Sequence, residues 1–493
     1  MAAAISFNQI PVNLLTPGQY VEFDNTRAIG GLVNMPQRVM LIAPMLVTGT
    51  ATPDVPFQVS READGVTALG RGSIGAAMVS AFFRVTDTLE TWVLPVADGA
   101  GAAASGMIAL QGKAEEAGVL SVYIAGVAIQ VAVPVMAQAS TIAEALADAI
   151  NADINLPVTA EVESGSGVRV TCRHQSILGN DVDIRLNYYK LSEKTPKGLA
   201  VVVTPMSGGA GVANLAAALA NIGAGQYNTL ICAYNDAASL ALIEAELDTR
   251  WGPLYQNDGH CHVGLRGSVG AINALLSTRN SPHITAWAME PDGEPNPFWE
   301  KATLAGATAA YYLAIDPARP LQTLPLPGLL PAPEDKRFTR AERNNILSYG
   351  AATTVVDAGG RVLIERAVTT YTVNSAGIVD PSYRDIETMY TLSFLRYSVR
   401  ARISQKFPRF KLAGDEYVVQ PGQAIVTPKT IRAEMIALFR DWEDAGLVED
   451  INQFKADLVV NRNNTDVNRV DVLLPPNIIN QFRVFAAQIQ FRL

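Results

Sequence analysis

Residues 229–289 read TLICAYNDAASLALIEAELDTRWGPLYQNDGHCHVGLRGSVGAINALLSTRNSPHITAWAM. Three apolar runs, at 229–233, 260–265 and 284–289, alternate with helical patterns of 10 to 14 residues at 237–250 and 269–278. A strand that is apolar on both faces is buried on both faces, and strands separated by such helices form βαβ units around a parallel sheet. The expected fold class is an α/β core, a mostly parallel sheet with flanking helices.

Working outward, 38–45 (RVMLIAPM) and 91–96 (TWVLPV) read as further strands, with a small-residue helix at 72–83 between them. The stretch 97–106 (ADGAGAAASG) has the composition of a linker and marks an insertion boundary. Beyond it the texture changes. Strands are expected at 120–124, 128–133, 158–163, 168–173 and 182–188, with one helix at 141–151 opening on Thr141 and Glu144 as a capping box. That order describes an inserted β-rich or α+β domain. The α/β texture returns at Ser207-Gly208-Gly209-Ala210-Gly211 and an Ala-rich helix at 212–222.

Downstream, a hairpin at 353–371 turns through Gly359-Gly360. Helices are expected at 383–406 and 428–445, the second with Thr427 as N-cap and Pro428 at N1. Strands are expected at 454–460 and 468–474. The resulting division is an extended arm at 1–25, core at 26–97, an inserted domain at 98–206, core again at 207–380, a C-terminal domain at 381–477 and a strand arm at 478–493.

Both ends are apolar and strand-like. Pro11 and Pro17 forbid a continuous helix among Phe7, Ile10, Val12 and Leu14. At the other end Phe485, Ala487, Ile489 and Phe491 alternate with polar or small residues up to the last position. Apolar termini with strand period need a partner sheet, which another copy of the chain can supply.

The 493 residues are too many for one core and suggest roughly 2 to 4 domains. Charged residues make up 17% of the chain, below the roughly 25% of soluble domains, which favours surface buried in an assembly. No apolar run reaches the length of about 18 that spans a bilayer, and no secretory leader pattern opens the sequence, so no membrane is expected. Cys172, Cys232 and Cys261 show no paired spacing, as for free thiols. A net charge of −9 argues against direct nucleic-acid binding.

Candidate chemistry is thin. Gly70-x-Gly72-x-x-Gly75 has the letters of a dinucleotide fingerprint, but 61–70 reads as a polar loop where a buried strand is required; close packing at a helix entry is the better reading. His260 and His262 share one face of a strand while Cys261 takes the other, so they read as core or interface residues and not as a metal site. Ser164-Gly165-Ser166-Gly167 lies between strands and reads as a turn. No cofactor, metal or catalytic group is expected. Arg396, Arg400, Arg402, Lys406, Arg409 and Lys411 form a run without an intervening acid. Carboxylates of the chain itself, or an acidic protein partner, can sit opposite them.

The order of these pieces resembles the tail sheath proteins of contractile bacteriophages, particularly the Mu-like group. The matching segments are SFNQIPVNLLTPGQYVEFDN (6–25), LGRGSIGAAMVSAFF (69–83), GGAGVANLAAALANI (208–222) followed by QYNTLICAYND (226–236), and YSVRARISQKFPR (397–409). The resemblance implies a non-enzymatic virion subunit, assembled in the host bacterial cytoplasm into stacked homo-hexameric rings around a tail tube protein and bounded by baseplate and tail terminator proteins. It further implies that the α/β core faces inward and carries contacts to the tube, that the inserted domain faces outward, and that the two arms join a neighbour's sheet; the basic run from Arg396 to Lys411 is the candidate for tube attachment. The rival readings are an α/β enzyme of nucleotide-binding or hydrolase type and a tube or baseplate component.

Overall fold

The computed structural model describes residues 16–21 and 32–492. The chain forms two compact units. The larger contains 36–394 and 480–493; the smaller contains 395–479 and the described residues up to Met35.

The larger unit opens with β1 (Arg38–Met45), β2 (Phe57–Val59), α1 (Glu62–Leu69), α2 (Ile74–Phe83) and β3 (Glu90–Ala97). β1 is buried along almost its whole length and pairs in parallel with β3. Ser73 caps α2 by accepting from the Ala76 N–H. Gly75 lets the helix sit on β1, because a Cβ there would stand 2.3 Å from the Pro44 carbonyl oxygen. α1 corrects the expected loop at 61–70. Its Asp64-Gly65 looks like turn chemistry, yet Gly65 is buried and its missing side chain leaves room for Val59 and Val79.

The next stretch holds β4 (Ser105–Gly112), β5 (Gly118–Ile124), β6 (Val127–Val133), α3 (Ala139–Ala152), β7 (Val158–Glu163), β8 (Gly167–Cys172), β9 (Ile184–Leu186) and β10 (Leu199–Ser207). They make an antiparallel sheet in the order β10-β4-β8-β7 and a second in the order β6-β5-β9, with α3 packed against strands of both. α3 starts at Ala139 after Gln138 without a side-chain cap, so the expected capping box at Thr141 and Glu144 does not form. The low-complexity stretch after β3 is no flexible linker. Ala102 and Ala210 exchange both backbone hydrogen bonds at 3.0 Å, and a Cβ on Gly101 would lie 2.1 Å from the Ala210 oxygen. Small residues are there because two backbones pass in contact.

The chain then supplies α4 (Leu215–Ala220), β11 (Thr229–Cys232), α5 (Ala237–Trp251), β12 (His260–Arg266), α6 (Val269–Leu276), β13 (Ile284–Met289), α7 (Phe298–Ile315), α8 (Arg340–Ser348), β14 (Ala351–Val356), β15 (Val362–Arg366) and α9 (Ile386–Lys406). Eight strands form one sheet in the order β15-β14-β13-β12-β11-β1-β3-β2. The pairs from β14 to β3 are parallel, and antiparallel β15 and β2 close the two edges. The sheet is therefore mixed, with a parallel centre. α7 lies on β11, β12 and β13 and, Glu300 apart, is buried from Phe298 to Ala310. A helix without a polar face carries no amphipathic period, which is why the sequence reading passes over it.

Lys301 of α7 has no exposed surface. Its ammonium donates to the Ala288 carbonyl at 2.8 Å, Glu294 at 2.7 Å and Thr354 Oγ1 at 3.0 Å, which uses all three donors. Burial pushes the Glu294 carboxyl up from its usual value, against the pull of Lys301.

The smaller unit takes the second half of α9 and adds β16 (Lys411–Leu412), β17 (Ile425–Val426), α10 (Pro428–Asp444), β18 (Val448–Glu449), α11 (Ile451–Asp457), β19 (Val459–Arg462), β20 (Val470–Leu473) and β21 (Asn477–Ile478). Its core is α10, which buries Ile431, Met435, Leu438, Phe439 and Trp442. Phe439 stacks on Phe454 at 4.2 Å between ring centroids, and Trp442 Nε1 donates to Ser398 Oγ at 2.8 Å. Most of the strand expected at 454–460 is helix, with β19 beginning only at Val459: Asp450 adopts φ 65° and accepts from the Gln453 N–H, turning the chain into α11 with Phe454 on its buried face.

Removing one member of a buried ion pair costs about 3–5 kcal/mol, while removing both costs far less. Lys301→Met is expected to lower the urea-unfolding free energy by about 3–5 kcal/mol at pH 7, and adding Glu294→Gln is expected to restore part of it.

Candidate functional site: the C-terminal arm and the basic helix end

The C-terminal residues are irregular, and Arg483 stands apart from its neighbours among them. From Ile479 to Arg492 the chain forms no helix or strand. Phe485, Ile489 and Phe491 are 79%, 88% and 79% exposed, and Ala487 is exposed as well. The expected strand at 478–493 is thus absent beyond β21. A strand exists only through hydrogen bonds to another strand; Ile479 still donates to the Leu447 carbonyl at 3.1 Å, and among the described residues no strand pairs with 480–492. The corresponding N-terminal positions Phe7, Ile10, Val12 and Leu14 lie outside the described residues.

Arg483, by contrast, is held. Its Nη2 donates to Glu387 at 2.8 Å and lies 3.1 Å from Asp385, both at the start of α9. Asp385 in turn accepts two bonds from Arg366 of β15 at 2.9 Å each. Glu387 is fully buried and also accepts the Leu321 N–H at 3.0 Å. Burial raises its carboxyl above the usual range, with Arg483 acting in opposition. Sequence reading missed Arg483, whose two acidic partners lie almost a hundred positions away. Its only local mark is a lone charge inside an apolar run.

The basic run divides in two within the smaller unit. Arg402 pairs with Glu434 at 2.9 Å and with Asp441, and Lys406 reaches Glu434 at 2.7 Å. These carboxylates project from α10, so the internal-carboxylate reading holds for Arg402 and Lys406. Arg396 is half-buried and Arg400 exposed, and both interact within the chain. Arg409, at φ 62°, and Lys411 are exposed beyond the helix, and their side chains make no ion pair among the described residues. Arg432 of α10 donates to the carbonyls of Lys455 and Leu458 and so caps the end of α11.

The remaining motifs resolve as packing. The helix entered through Gly70-x-Gly72-x-x-Gly75 follows α1, not a strand. Its first N–H, on Ile74, donates to His174 Nε2 at 3.0 Å, and Arg173 fills the space beside Gly72. The place a phosphate would take is occupied. His260 bonds Thr285 Oγ1 at 2.8 Å, and His262 Nδ1 accepts from Trp287 Nε1 at 3.1 Å. Burial pushes His260 well below its usual value and His262 down to about 3, so both are neutral core residues. Among the described residues no group of three His, Cys, Asp or Glu is placed to hold a metal ion. Ser164 and Gly165 form the positive-φ turn between β7 and β8.

Residues 208–370 match the family model described as the phage tail sheath protein central domain, and residues 379–492 match the phage tail sheath C-terminal domain. The Mu-like prophage FluMu tail sheath protein of Haemophilus influenzae is 42% identical over 489 residues, covering 99% of both chains. This chain belongs to the Mu-like family of contractile phage tail sheath proteins. The resemblance read from its segments is thereby shown, and the sheath protein is a structural component of the virion tail. Its fold is similar to a chain of the PVC sheath complex of an extracellular contractile injection system in the contracted state. That likeness has a TM-score of 0.50 at 10% identity, with 96% of this chain and 97% of that chain covered. A sheath tail protein from Desulfitobacterium hafniense aligns over 94% of this chain and all of its own at 13% identity, with a TM-score of 0.47.

The neutral histidines of the sheath protein give it a pH signature with a defined sign. His262 has a folded-state value of about 3, against about 6.5 in an unfolded chain, so its contribution is complete above pH 6.5 and is lost as pH falls from there toward 3. Between pH 7.5 and pH 5 the unfolding free energy of the native protein is expected to fall by about 2 kcal/mol more than that of His262→Gln. Parallel urea titrations of the two proteins check this.

Proposed function

We propose that this sheath subunit forms stacked hexameric rings around a tail tube and that neighbouring copies are joined through their terminal arms. One observation carries the reading: Val484, Phe485, Ile489 and Phe491 stand 79–88% exposed on a segment with strand period and no strand partner among the described residues. Burying such side chains is worth about 1.5–3 kcal/mol each, so a neighbour that completes the ladder gains several of them together with the backbone bonds. A ring lattice supplies that neighbour at every position. Residues 1–25 would act with the C-terminal arm in the same connection, and residues 98–206 would project outward.

Contraction on this reading is a change between two packings of rigid bodies, with the arms keeping neighbours connected while the other interfaces exchange. Such a change drives the tube through the host envelope. Baseplate and tail terminator proteins bound the stack at its two ends, and assembly takes place in the host bacterial cytoplasm. For the tube contact, Arg409 and Lys411 are the uncommitted members of the basic run, whereas Arg402 and Lys406 already have carboxylates.

Negative-stain microscopy of the protein expressed alone is expected to show hollow sheath-like tubes. Deleting 484–493, which spares β21, is expected to abolish them without altering the thermal melt; unchanged tubes would refute the arm assignment. Arg409→Glu combined with Lys411→Glu is expected to leave self-assembly intact and to reduce co-sedimentation with the tube about tenfold in low salt. Undiminished tube binding would remove those two residues from the contact.

A further inference from the structure

We infer that Arg483 is the root of the C-terminal arm: the residue at which a flexible connector ends and the rigid body of the subunit begins. The inference rests on the reading of 484–492 as the inter-subunit arm, and it adds where force on that arm enters the fold. The neighbours of Arg483 are open to solvent, with Phe482 at 72% and Val484 at 80% exposure, while the Arg483 side chain is only 12% exposed. The anchor is therefore one residue wide. Apart from it, the described attachment of this segment includes a long bond from Gln322 Nε2 to the Phe482 carbonyl at 3.4 Å.

What Arg483 grips is unusually well connected. Glu387 belongs to the first turn of α9, and Asp385 ties to Arg366 at the end of edge strand β15. Tension on residue 484 is passed by one guanidinium to a helix start and, through Asp385, to the eight-stranded sheet. The chain leaves the larger unit after Phe394 and re-enters it at Asn480. Asp385 and Glu387 lie just before the exit and Arg483 just after the return. The clasp thus pins together the two ends of the 395–479 excursion, on the side of the larger unit. A rearrangement of the smaller unit need not alter the arm's point of attachment.

The chemistry also explains why the clasp stays shut. Glu387 without Arg483 keeps backbone N–H donors, its own and that of Leu321, but no adjoining cation of its own, and a buried carboxylate left without its charge partner is strongly disfavoured. Only Nη2 of Arg483 is used; Nε and Nη1 are buried without a partner among the described residues. A single ammonium can replace a single donor, so Arg483→Lys should retain the function and Arg483→Gln should lose it.

Trypsin reads the clasp directly. In the full-length subunit before assembly, carrying Gln488→Arg as an unclasped reference site, cutting after position 483 is expected to be at least about tenfold slower than after position 488. Adding Glu387→Gln is expected to bring the two rates together while the thermal melt shows a folded subunit. Equal rates in the protein with an intact Glu387 overturn the anchor and need no further variant. In assembly, Arg483→Gln is expected to give at least about tenfold fewer tubes although the arm sequence is intact, with Arg483→Lys close to native. A protected site together with native assembly of Arg483→Gln would overturn the role of the root. If deletion of 484–493 also assembled normally, the fault would lie with the arm reading instead.

Discussion

The pairing of β1 in parallel with β3 on one side and β11 on the other is the constraint from which the rest of the larger unit follows. Those two strands are consecutive neighbours of β1 in space but are separated in sequence by every element from β4 to α4. Whatever lies between them must leave the sheet and come back. That requirement produces the close-packed neck of Ala102 and Ala210, and it makes glycine necessary where the outgoing and returning backbones touch. It also sets α2 hard against β1, with Gly75 as the seat, because the strand is covered on both faces.

A chain with few charges places many of them at joints. Asp181, between β8 and β9, accepts from Arg266 at the end of β12 and from the Phe298 N–H that starts α7. His174 bridges Asp98 and the first N–H of α2. Lys301 ties α7 to β13 and β14, Arg402 ties α9 to α10, and Arg483 ties the chain's return to α9 and β15. Each pair joins segments distant in sequence, and most are substantially buried. Directional internal bonds of this kind hold each body in one arrangement.

Much of the parallel sheet was legible because its evidence is local. β1, β3, β11, β12 and β13 are continuous apolar runs, and the β14–β15 hairpin carries Gly359-Gly360. What was hidden had no local signal or a misleading one. α7 is buried nearly all round, so no apolar stripe against a polar face marks it. The Ala-Gly stretch after β3 has the composition of a loose tether but serves a tight one. The strand expected at 454–460 yields over 454–457 to Asp450, which accepts a left-handed φ and caps a helix whose Phe454 has Phe439 to stack on. In the candidate sites, the apolar arm and the basic run were visible as residue patterns, while the anchor at Arg483 and the α10 carboxylates were not.

By itself the sequence determined which segments are strands of a buried parallel sheet, that a different texture interrupts them, and that the ends are apolar with strand period. These properties depend on side chains within one or two turns of each other. The tertiary structure decided the strand order, the close-packed neck, which basic residues are already neutralised, and the pairing of Arg483 with Asp385 and Glu387. Those outcomes depend on contacts between residues tens to hundreds of positions apart, and such contacts are chosen by burial and charge pairing across the whole fold rather than by local pattern.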